Sequence, residues 1–399
     1  MAGEPAKGGA SPSVVLTLNS GSSSLKFGLY RVGGARTEEL LTGAAEAIGD
    51  ANGAFHARDS QARILTSESV SIPGRQDALV RIVNLLDRSG LPAPVAIGHR
   101  IVHGGPDLRQ HCLIDEPVMQ QLEHAVSFAP LHAPSALSVI RSMQRHFAGL
   151  PNVACFDMTF HAAMPDVARV LPLPRDLKAS GIRRYGFHGL SCESIVHQLG
   201  EFLPQRLIIA HLGNGASVTA VRNGQSIDTS MGLTPSGGVI MGSRSGDIDP
   251  GVLIYLMRER KFDPALLEDL IDHRSGLTGI SGVGSDMRRL HDAASSNPDA
   301  RLAIEMFCYS VRKQIAAMMA ALGGVDLLVF TGGIGENDGK VRASICSGLS
   351  WAGVGSDVIE DIAEYGRVRS AQGARVLVLP SREDSQIARH TGHLVGLDP

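Results

Sequence analysis

The feature that most constrains this chain is a theme it states twice. "VVLTLNSGSSSLKFGLYRVGG", from Val14, is an apolar run, a small polar turn and a second β run, and "RLIIAHLGNGASVTAVRNGQSIDTS", from Arg206, repeats the order strand, Asn/Gly/Ser turn, strand, turn. β-Branched and aromatic residues favour strands, and small polar residues favour the turns between them. Any two hairpins share part of such a pattern. Two of them nearly half a chain apart predict a duplicated domain, with paired hairpins facing each other across a cleft and gripping the two ends of one phosphate chain.

The segments around the hairpins alternate in type. Strands are expected at Val14–Leu18 and Leu25–Val32, joined by a tight polar turn over Asn19–Ser24, with weaker β structure through Leu65. "RQDALVRIVNLLDRSG" has Leu79, Ile82, Val83 and Leu86 at helical spacing and ends at Gly90, which reads as an amphipathic helix. "PVAIGHRIVHGG" reads as a strand entering a Gly-Gly turn, "PSALSVIRSMQRHF" as a helix with Pro134 in its first turn, and "NVACFDMTFH" as a strand ending at Asp157. Further on, "FDPALLEDLIDHRSG" and "RLAIEMFCYSVRKQIAAMMAALGG" read as helices, the second closed by Gly323 and Gly324, with its methionines serving as core packing. "VDLLVFTGGIGEN" is a buried strand entering a glycine loop, and "KVRASICSGL" a helix. "ARVLVLP" is a last strand, leading to "SREDSQIARH", an acidic turn that opens a C-terminal helix. This alternation specifies an α/β architecture with ligand sites at strand ends.

Bulk properties exclude several classes. At 399 residues the chain accommodates two or three domains, and its net charge of −3 argues against a nucleic-acid surface. No long uncharged apolar stretch reads as a membrane span. The opening "MAGEPAKGGASPS", residues 1–13, has no apolar core and reads as a flexible tail rather than a secretion signal. Five cysteines without a close CxxC pair fit reduced thiols in a cytoplasm. The expected partners are small molecules, with neither nucleic acid nor membrane.

Polyphosphate chemistry is suggested by what the glycines do. No Walker A sequence occurs, and the GxG elements at Gly213, Gly282 and Gly333 each lack the third glycine of a dinucleotide fingerprint. Yet the 46 glycines include several clusters after strands, where exposed backbone N–H groups form anion-binding concavities. In "MGLTPSGGVIMGSRSGDIDPG", Arg244 stands among Gly242, Ser243, Ser245 and Gly246, which offer no core for it. A guanidinium so placed suits a carboxylate or phosphate. Arg100 in "GHRIVHGG" is a second candidate; its neighbours His99 and His103 lack the HExxH context of a zinc site. His188 stands between glycines in "YGFHGLS", read as a strand-to-helix junction.

The order "NSGSSSLKF", "GHRIVHGG", "FDMTFH", "YGFHG", "AHLGNG", "MGLTPSGG", "GSRSGDIDPG", "GSDMR" and "GGIGEN" resembles the acetate kinase family, from about Val14 to the C-terminus. The resemblance implies two duplicated ribonuclease-H-like domains of the acetate and sugar kinase, Hsp70 and actin fold. It places an acyl-side domain at 14–157 plus 384–399 and a nucleotide-side domain at 158–383. It also implies a homodimer and reversible transfer of the ATP γ-phosphoryl group to acetate, giving acetyl phosphate and ADP. By the same resemblance Asp157, His188 and Arg244 are catalytic and Arg100 binds the substrate carboxylate. Asn19 and Glu383 hold Mg²⁺, with Mn²⁺ as a substitute. Lys26, His211, Leu212, Gly213, Asn214 and Gly215 contact the ATP phosphates, while Asp286, Met287, Arg288, Gly333, Ile334, Gly335, Glu336 and Asn337 contact the nucleoside end.

An acceptor carboxylic acid with a pKa of about 4 is already ionised at neutral pH and needs no general base. For Asp157 this favours orienting Mg²⁺ or its waters. What the reaction needs is relief from the repulsion of like charges, about 4 kcal/mol per pair at 4 Å and an effective dielectric near 20. The chain also departs from the family's common pattern: Ser20 replaces Ala, Ala133 Asn, Met158 Thr and Ser243 Thr, and "PSRED" replaces "TNEE", which puts Arg382 at an asparagine position. Met158 and Ala133 bear on the acyl pocket, Arg382 on the metal. The alternatives are a propionate or butyrate kinase of the same family, a nucleotide-switch ATPase on the same fold, and a sugar kinase using Asp157 as base.

Overall fold

The computed structural model describes residues 13–21, 23–33, 36–130, 133–368 and 373–397. Of the expected tail, residues 1–12 lie outside the described residues, as does Ser22 of the expected turn. The chain divides into two compact units. One comprises the chain up to Phe156 together with the segment from Glu383 onward, and the other is Asp157–Arg382. Asp157 thus belongs to the second unit and Glu383 to the first.

In the first unit the strands are β1 (Ser13–Ser20), β2 (Leu25–Gly33), β3 (Arg36–Glu46), β4 (Ala54–Asp59), β5 (Ile64–Ser69), β6 (Ala96–Ile101), β7 (Cys112–Leu113) and β8 (Asn152–Phe156). They form one sheet in the order β5-β4-β3-β2-β1-β6-β8-β7. β1, β2 and β3 run antiparallel in succession, whereas β6 pairs parallel with β1 and β8 parallel with β6. β1 extends beyond the sequence expectation: Asn19 pairs with Lys26 and Ser20 with Leu25. Asn19 and Ser20 are therefore strand residues rather than part of the turn, and ladder pairing fixes the direction of both. The β region expected to fade at Leu65 is a regular antiparallel extension ending at Ser69.

β1 is buried on both faces, which is why its apolar run is nearly continuous. Val14, Leu16 and Leu18 join the main core with Phe27 and Phe55, whose rings stack at 5.8 Å. Val15 faces a smaller cluster with Tyr30, Val32, Ala96 and Ala388 of the C-terminal helix Glu383–Leu394. Close approach of that helix depends on Gly98 of β6, where a Cβ would lie 2.3 Å from Thr391 Oγ1 and 2.5 Å from Ile387 Cγ2. The helix is thereby seated with its first residues at the end of β1.

The second unit has β9 (Arg206–Leu212), β10 (Ala216–Arg222), β11 (Gln225–Thr229), β12 (Leu327–Thr331), β13 (Val354–Ile359) and β14 (Ala374–Val378), ordered β11-β10-β9-β12-β14-β13. β9, β10 and β11 are antiparallel in succession, while β12 is parallel to β9 and β14 parallel to β12. The arrangement β11-β10-β9-β12-β14 reproduces β3-β2-β1-β6-β8 of the first unit, in order and in direction. Each is the ribonuclease-H-like sheet, and the fold is a duplicated mixed α/β one.

Candidate functional site

In both units the distinctive side chains gather where the parallel strands end. At the end of β1 in the first unit, Asn19 is buried and uses both ends of its amide. Its Oδ1 accepts from Arg100 Nη1 at 2.9 Å, and its Nδ2 donates to Glu383 Oε2 at 2.9 Å and to Asp384 Oδ1 at 3.2 Å. Arg100 reaches it from β6, and the two acids open the C-terminal helix. Burial, and next the Glu383 charge, push the Asp384 carboxyl above its ordinary value, against the pull of Lys26, Asn19 and Arg100. Sequence reading missed Asp384 because only the helix seating makes it a neighbour of Asn19.

This donor set fits a hard divalent cation. It consists of oxygens, two of them carboxylate groups sharing one amide, and the crowded acid pair is a site that added positive charge would relieve. Asn19 Oδ1 has a second lone pair besides the one facing Arg100. The turn beyond it is braced: Gly21 N–H donates to Ser24 O at 2.9 Å, and Arg75 donates to Gly21 O and to Ser20 Oγ. Ser20, a departure from the family, also lies 3.3 Å from Ser135 Oγ.

His99 and His103 have structural partners. The buried His99 lies 2.8 Å from Asn152 Oδ1, and its pKa is pushed down from 6.5 to about 4, chiefly by burial. His103 Nδ1 accepts from Gly105 N–H.

In the second unit, His188 caps the helix Gly189–Leu199 with φ 58° and ψ 26°, a left-handed conformation uncommon for a residue with a Cβ. An irregular segment rather than the expected strand leads into it. The Gly189 N–H, held 2.7 Å from Asp157 O, ties the buried Asp157 beneath the same helix start. His161 fixes the approach. It is buried, with one ring nitrogen 2.9 Å from Phe187 O and the other 2.8 Å from Ser226 Oγ, and burial above all pushes its pKa down to about 4. Ser217 Oγ of β10 lies 2.9 Å from His188 Nδ1, which directs Nε2 toward the turn between β9 and β10.

That turn is the centre of the array. A Cβ on Gly215 would lie 3.2 Å from His188 Nε2 and 3.3 Å from Arg244 Nη1. His211, at the end of β9, stacks on His188 with centroids 4.2 Å apart. Asn214 O accepts from Gly242 N–H at 3.0 Å, which binds the Arg244 loop to the turn. The loop is braced in turn by Ser243 Oγ donating to Asp272 O and by the Ser236–Asp272 hydrogen bond. Of the predicted phosphate contacts in this unit, Leu212 is wholly buried, so only its backbone is offered.

The segments expected at the nucleoside end lie beside this array. A Cβ on Gly213 would sit 3.9 Å from Gly333 N, and one on Gly242 would sit 3.0 Å from Ser285 Cβ, next to Asp286. The expected glycine loop is a short helix, Gly332–Asn337. Glu336 Oε1 accepts from Gly332 N–H at 2.8 Å and from Ser381 N–H at 2.9 Å, while Asn337 Nδ2 donates to Gly333 O. Asp286 caps the helix Met287–Ala293 and pairs with the exposed Arg288, whose hydrogen bond pulls its pKa down to about 2. Met287 is buried. Among the departures from the family, Met158 and Ala133 are buried and Arg382 is exposed.

The fold and these strand-end arrays define a nucleotide-dependent phosphotransferase of the duplicated ribonuclease-H-like class. The Acetokinase family profile matches residues 14–389. The chain is 40% identical to the acetate kinase of Chromobacterium violaceum over 96% of its length and 99% of that protein's, and 41% identical to that of Nitrobacter hamburgensis over 94% and 95%. Among solved structures it resembles a propionate kinase from Francisella tularensis (TM-score 0.85, 35% identity) and the Porphyromonas gingivalis acetate kinase (TM-score 0.79, 34% identity), each over 96% of this chain and 100% of the other. The chain belongs to the acetokinase family.

Proposed function

We propose that this chain transfers the γ-phosphoryl group of ATP reversibly to acetate, giving acetyl phosphate and ADP by direct in-line displacement. The observation that carries the reading is the turn at Gly215, against which both His188 Nε2 and Arg244 Nη1 are set. An imidazole nitrogen and a guanidinium nitrogen, the latter also donating to Pro235 O at 3.3 Å, set against one backbone turn suit the equatorial oxygens of a phosphoryl group in transfer. His211, Gly213, Asn214 and Gly215 hold the ATP phosphates, and the segments Asp286–Arg288 and Gly333–Asn337 hold the nucleoside end.

The first unit serves the acceptor. Arg100 binds the acetate carboxylate through its guanidinium while Asn19 fixes its direction. Acetate is ionised at neutral pH, so no side chain need take its proton. Asn19 and Glu383 would hold Mg²⁺, or Mn²⁺ in its place, with Lys26 completing the positive field on the phosphates. A bound magnesium ion supplies charge neutralisation on phosphate oxygens. Asp157 would orient the metal or its waters and need not act as a base.

A homodimer in a reducing cytoplasm is part of the proposal. The helix Pro250–Glu259 is apolar, yet none of its residues is buried. Val252, Ile254, Tyr255 and Met257 are exposed on it, as are Leu302, Met306 and Tyr309 on the helix Pro298–Leu322. So much apolar surface on helices of one unit suits a second copy of the chain. The five cysteines are all free thiols, as expected where disulfides do not persist. Among the described residues no helix is long and apolar enough to cross a membrane.

The test is acyl hydroxamate formation from ATP, Mg²⁺, hydroxylamine and each of acetate, propionate and butyrate. Acetate is expected to give the highest kcat/KM, with one added methylene costing about tenfold. ATP turnover indifferent to every carboxylate would overturn the proposal, and a preference for propionate would reassign the acceptor.

A further inference from the structure

Behind the phosphate turn runs a chain of hydroxyl groups that the proposed transfer does not use. Ser381 N–H donates to Glu336 Oε1 at 2.9 Å, and Ser381 Oγ donates to Ser191 Oγ at 3.0 Å. Ser191 Oγ in turn lies 2.8 Å from His211 Nδ1. Ser191 is wholly buried on the helix Gly189–Leu199, and its neighbour on that helix, Ser194, accepts from Arg382 N–H at 3.1 Å. Two serines of one helix therefore hold the segment Ser381–Arg382 in register with His211.

The direction of the chain has a chemical consequence. A hydroxyl carries one proton and two lone pairs, so a Ser191 that accepts from Ser381 still has its own proton available to give to His211 Nδ1. A neutral imidazole whose Nδ1 accepts has its single proton on Nε2. The His211 ring stacks on that of His188 with centroids 4.2 Å apart. Nε2 of His211 is the nitrogen on the turn side, where a Cβ on Gly213 would sit 3.8 Å from it.

We propose that Ser191, oriented by Ser381, is a positioning residue that fixes His211 as the Nε2–H tautomer, so that its ring presents a donor and not a lone pair to the phosphate chain of the nucleotide. The value of this relay to catalysis rests on the proposed placement of ATP phosphates at His211. The tautomer itself does not. A lone pair at Nε2 would repel phosphate oxygens, so the relay excludes the Nδ1–H tautomer, the one that opposes nucleotide binding. It also couples the Gly332–Asn337 helix, through Glu336 and Ser381, to the ring that meets the phosphates.

The experiment uses the full chain with ¹⁵N-labelled histidine. Long-range proton–nitrogen correlation spectra are expected to show His211 as the Nε2–H tautomer in the wild type. Ser191→Ala and Ser381→Ala should give a mixture of tautomers, whereas Ser381→Thr, which keeps the hydroxyl, should restore the wild-type spectrum. In the kinetic arm, Ser191→Ala should lower kcat/KM for ATP about threefold to tenfold, as loss of one hydrogen bond would, with the KM for acetate unchanged. A wild-type Nδ1–H tautomer, or a Ser191→Ala spectrum identical to wild type, overturns the relay. Should His211→Ala leave the KM for ATP unchanged while the spectra behave as expected, the relay stands and the placement of phosphates at His211 falls.

Discussion

The two units share one sheet design and end their first strand in the same kind of turn, yet they surround that turn with different charge. At β1 the amide of Asn19 is set between the Arg100 guanidinium and the Glu383 and Asp384 carboxylates. At β9 the turn meets the imidazole of His188 and the guanidinium of Arg244, with His211 stacked behind. The backbone supplies the same strand end in both cases. What differs is the element brought to it: a C-terminal helix that begins with two acids in one unit, and a helix capped by histidine plus an arginine loop in the other. On the proposed function, the first array takes a cation together with an anionic acceptor, and the second takes anionic oxygens alone. Duplication thus provided two equivalent positions, and side-chain choice specialised them.

Replacing the arginine of each array sharpens this division most. Arg244→Ala is expected to lower kcat about 10³-fold, the scale of an arginine that meets charge developing in phosphoryl transfer. The KM for acetate should change little. Arg100→Ala should instead raise the KM for acetate, by about 10- to 100-fold for a lost hydrogen bond to a charged group. Arg100→Lys should recover only part of it, since an ammonium lacks the planar fork. Equal effects of the two changes on kcat and KM would break the assignment of separate roles. Steady-state kinetics with each substrate varied in turn decides it.

A smaller effect is expected from Gly215→Ala. The added Cβ would sit 3.2 Å from His188 Nε2 and 3.3 Å from Arg244 Nη1, tight enough to displace each by a few tenths of an ångström. We expect kcat to fall about tenfold, well short of the loss for a full ångström of misplacement. At Gly21, which follows β1 as Gly213 follows β9, a Cβ would instead meet its own turn, 2.7 Å from Ser24 Oγ. Gly21→Ala therefore tests turn stability, and should shift the thermal midpoint more than kcat. A reversed pattern would place the transferring group at the wrong turn.

Much of this arrangement was legible in local sequence. The strand, turn, strand repeat is a local signal, and each strand expected from it is present, because fully buried strands carry long apolar runs. What was hidden depends on distance along the chain. Asp384 meets Asn19 only through seating of the last helix on the first sheet, and Ser217 and Ser191 have no local signature that separates them from ordinary strand and helix serines. The Gly332–Asn337 helix was hidden by its glycines, which favour loops. It forms because Glu336 accepts from Gly332 N–H while Arg342 Nη1 donates to the carbonyls of Gly335 and Glu336. Side-chain caps there outweigh local propensity.

The two units also share a buried neutral histidine, and this gives the gentlest test of their independence. His99 in the first and His161 in the second both have pKa values pushed from 6.5 down to about 4, first by burial. Above pH 6.5 the ring is neutral in folded and unfolded chains alike, and titration contributes nothing. Between pH 6.5 and 4 the unfolded chain binds the proton and the folded one does not, so stability falls as pH falls, by about 3 kcal/mol per histidine at the lower end. Below pH 4 the loss levels off. His99→Gln, which retains an amide to meet Asn152, should remove the acid sensitivity of β1 and β6 while leaving that of β9 and β12 in place. Amide hydrogen exchange of those strands at pH 7 and pH 4.5 resolves the two units separately. Equal relief in both would mean that they unfold as one cooperative body, and the specialisation of the two strand ends would then rest on a single shared stability rather than on two.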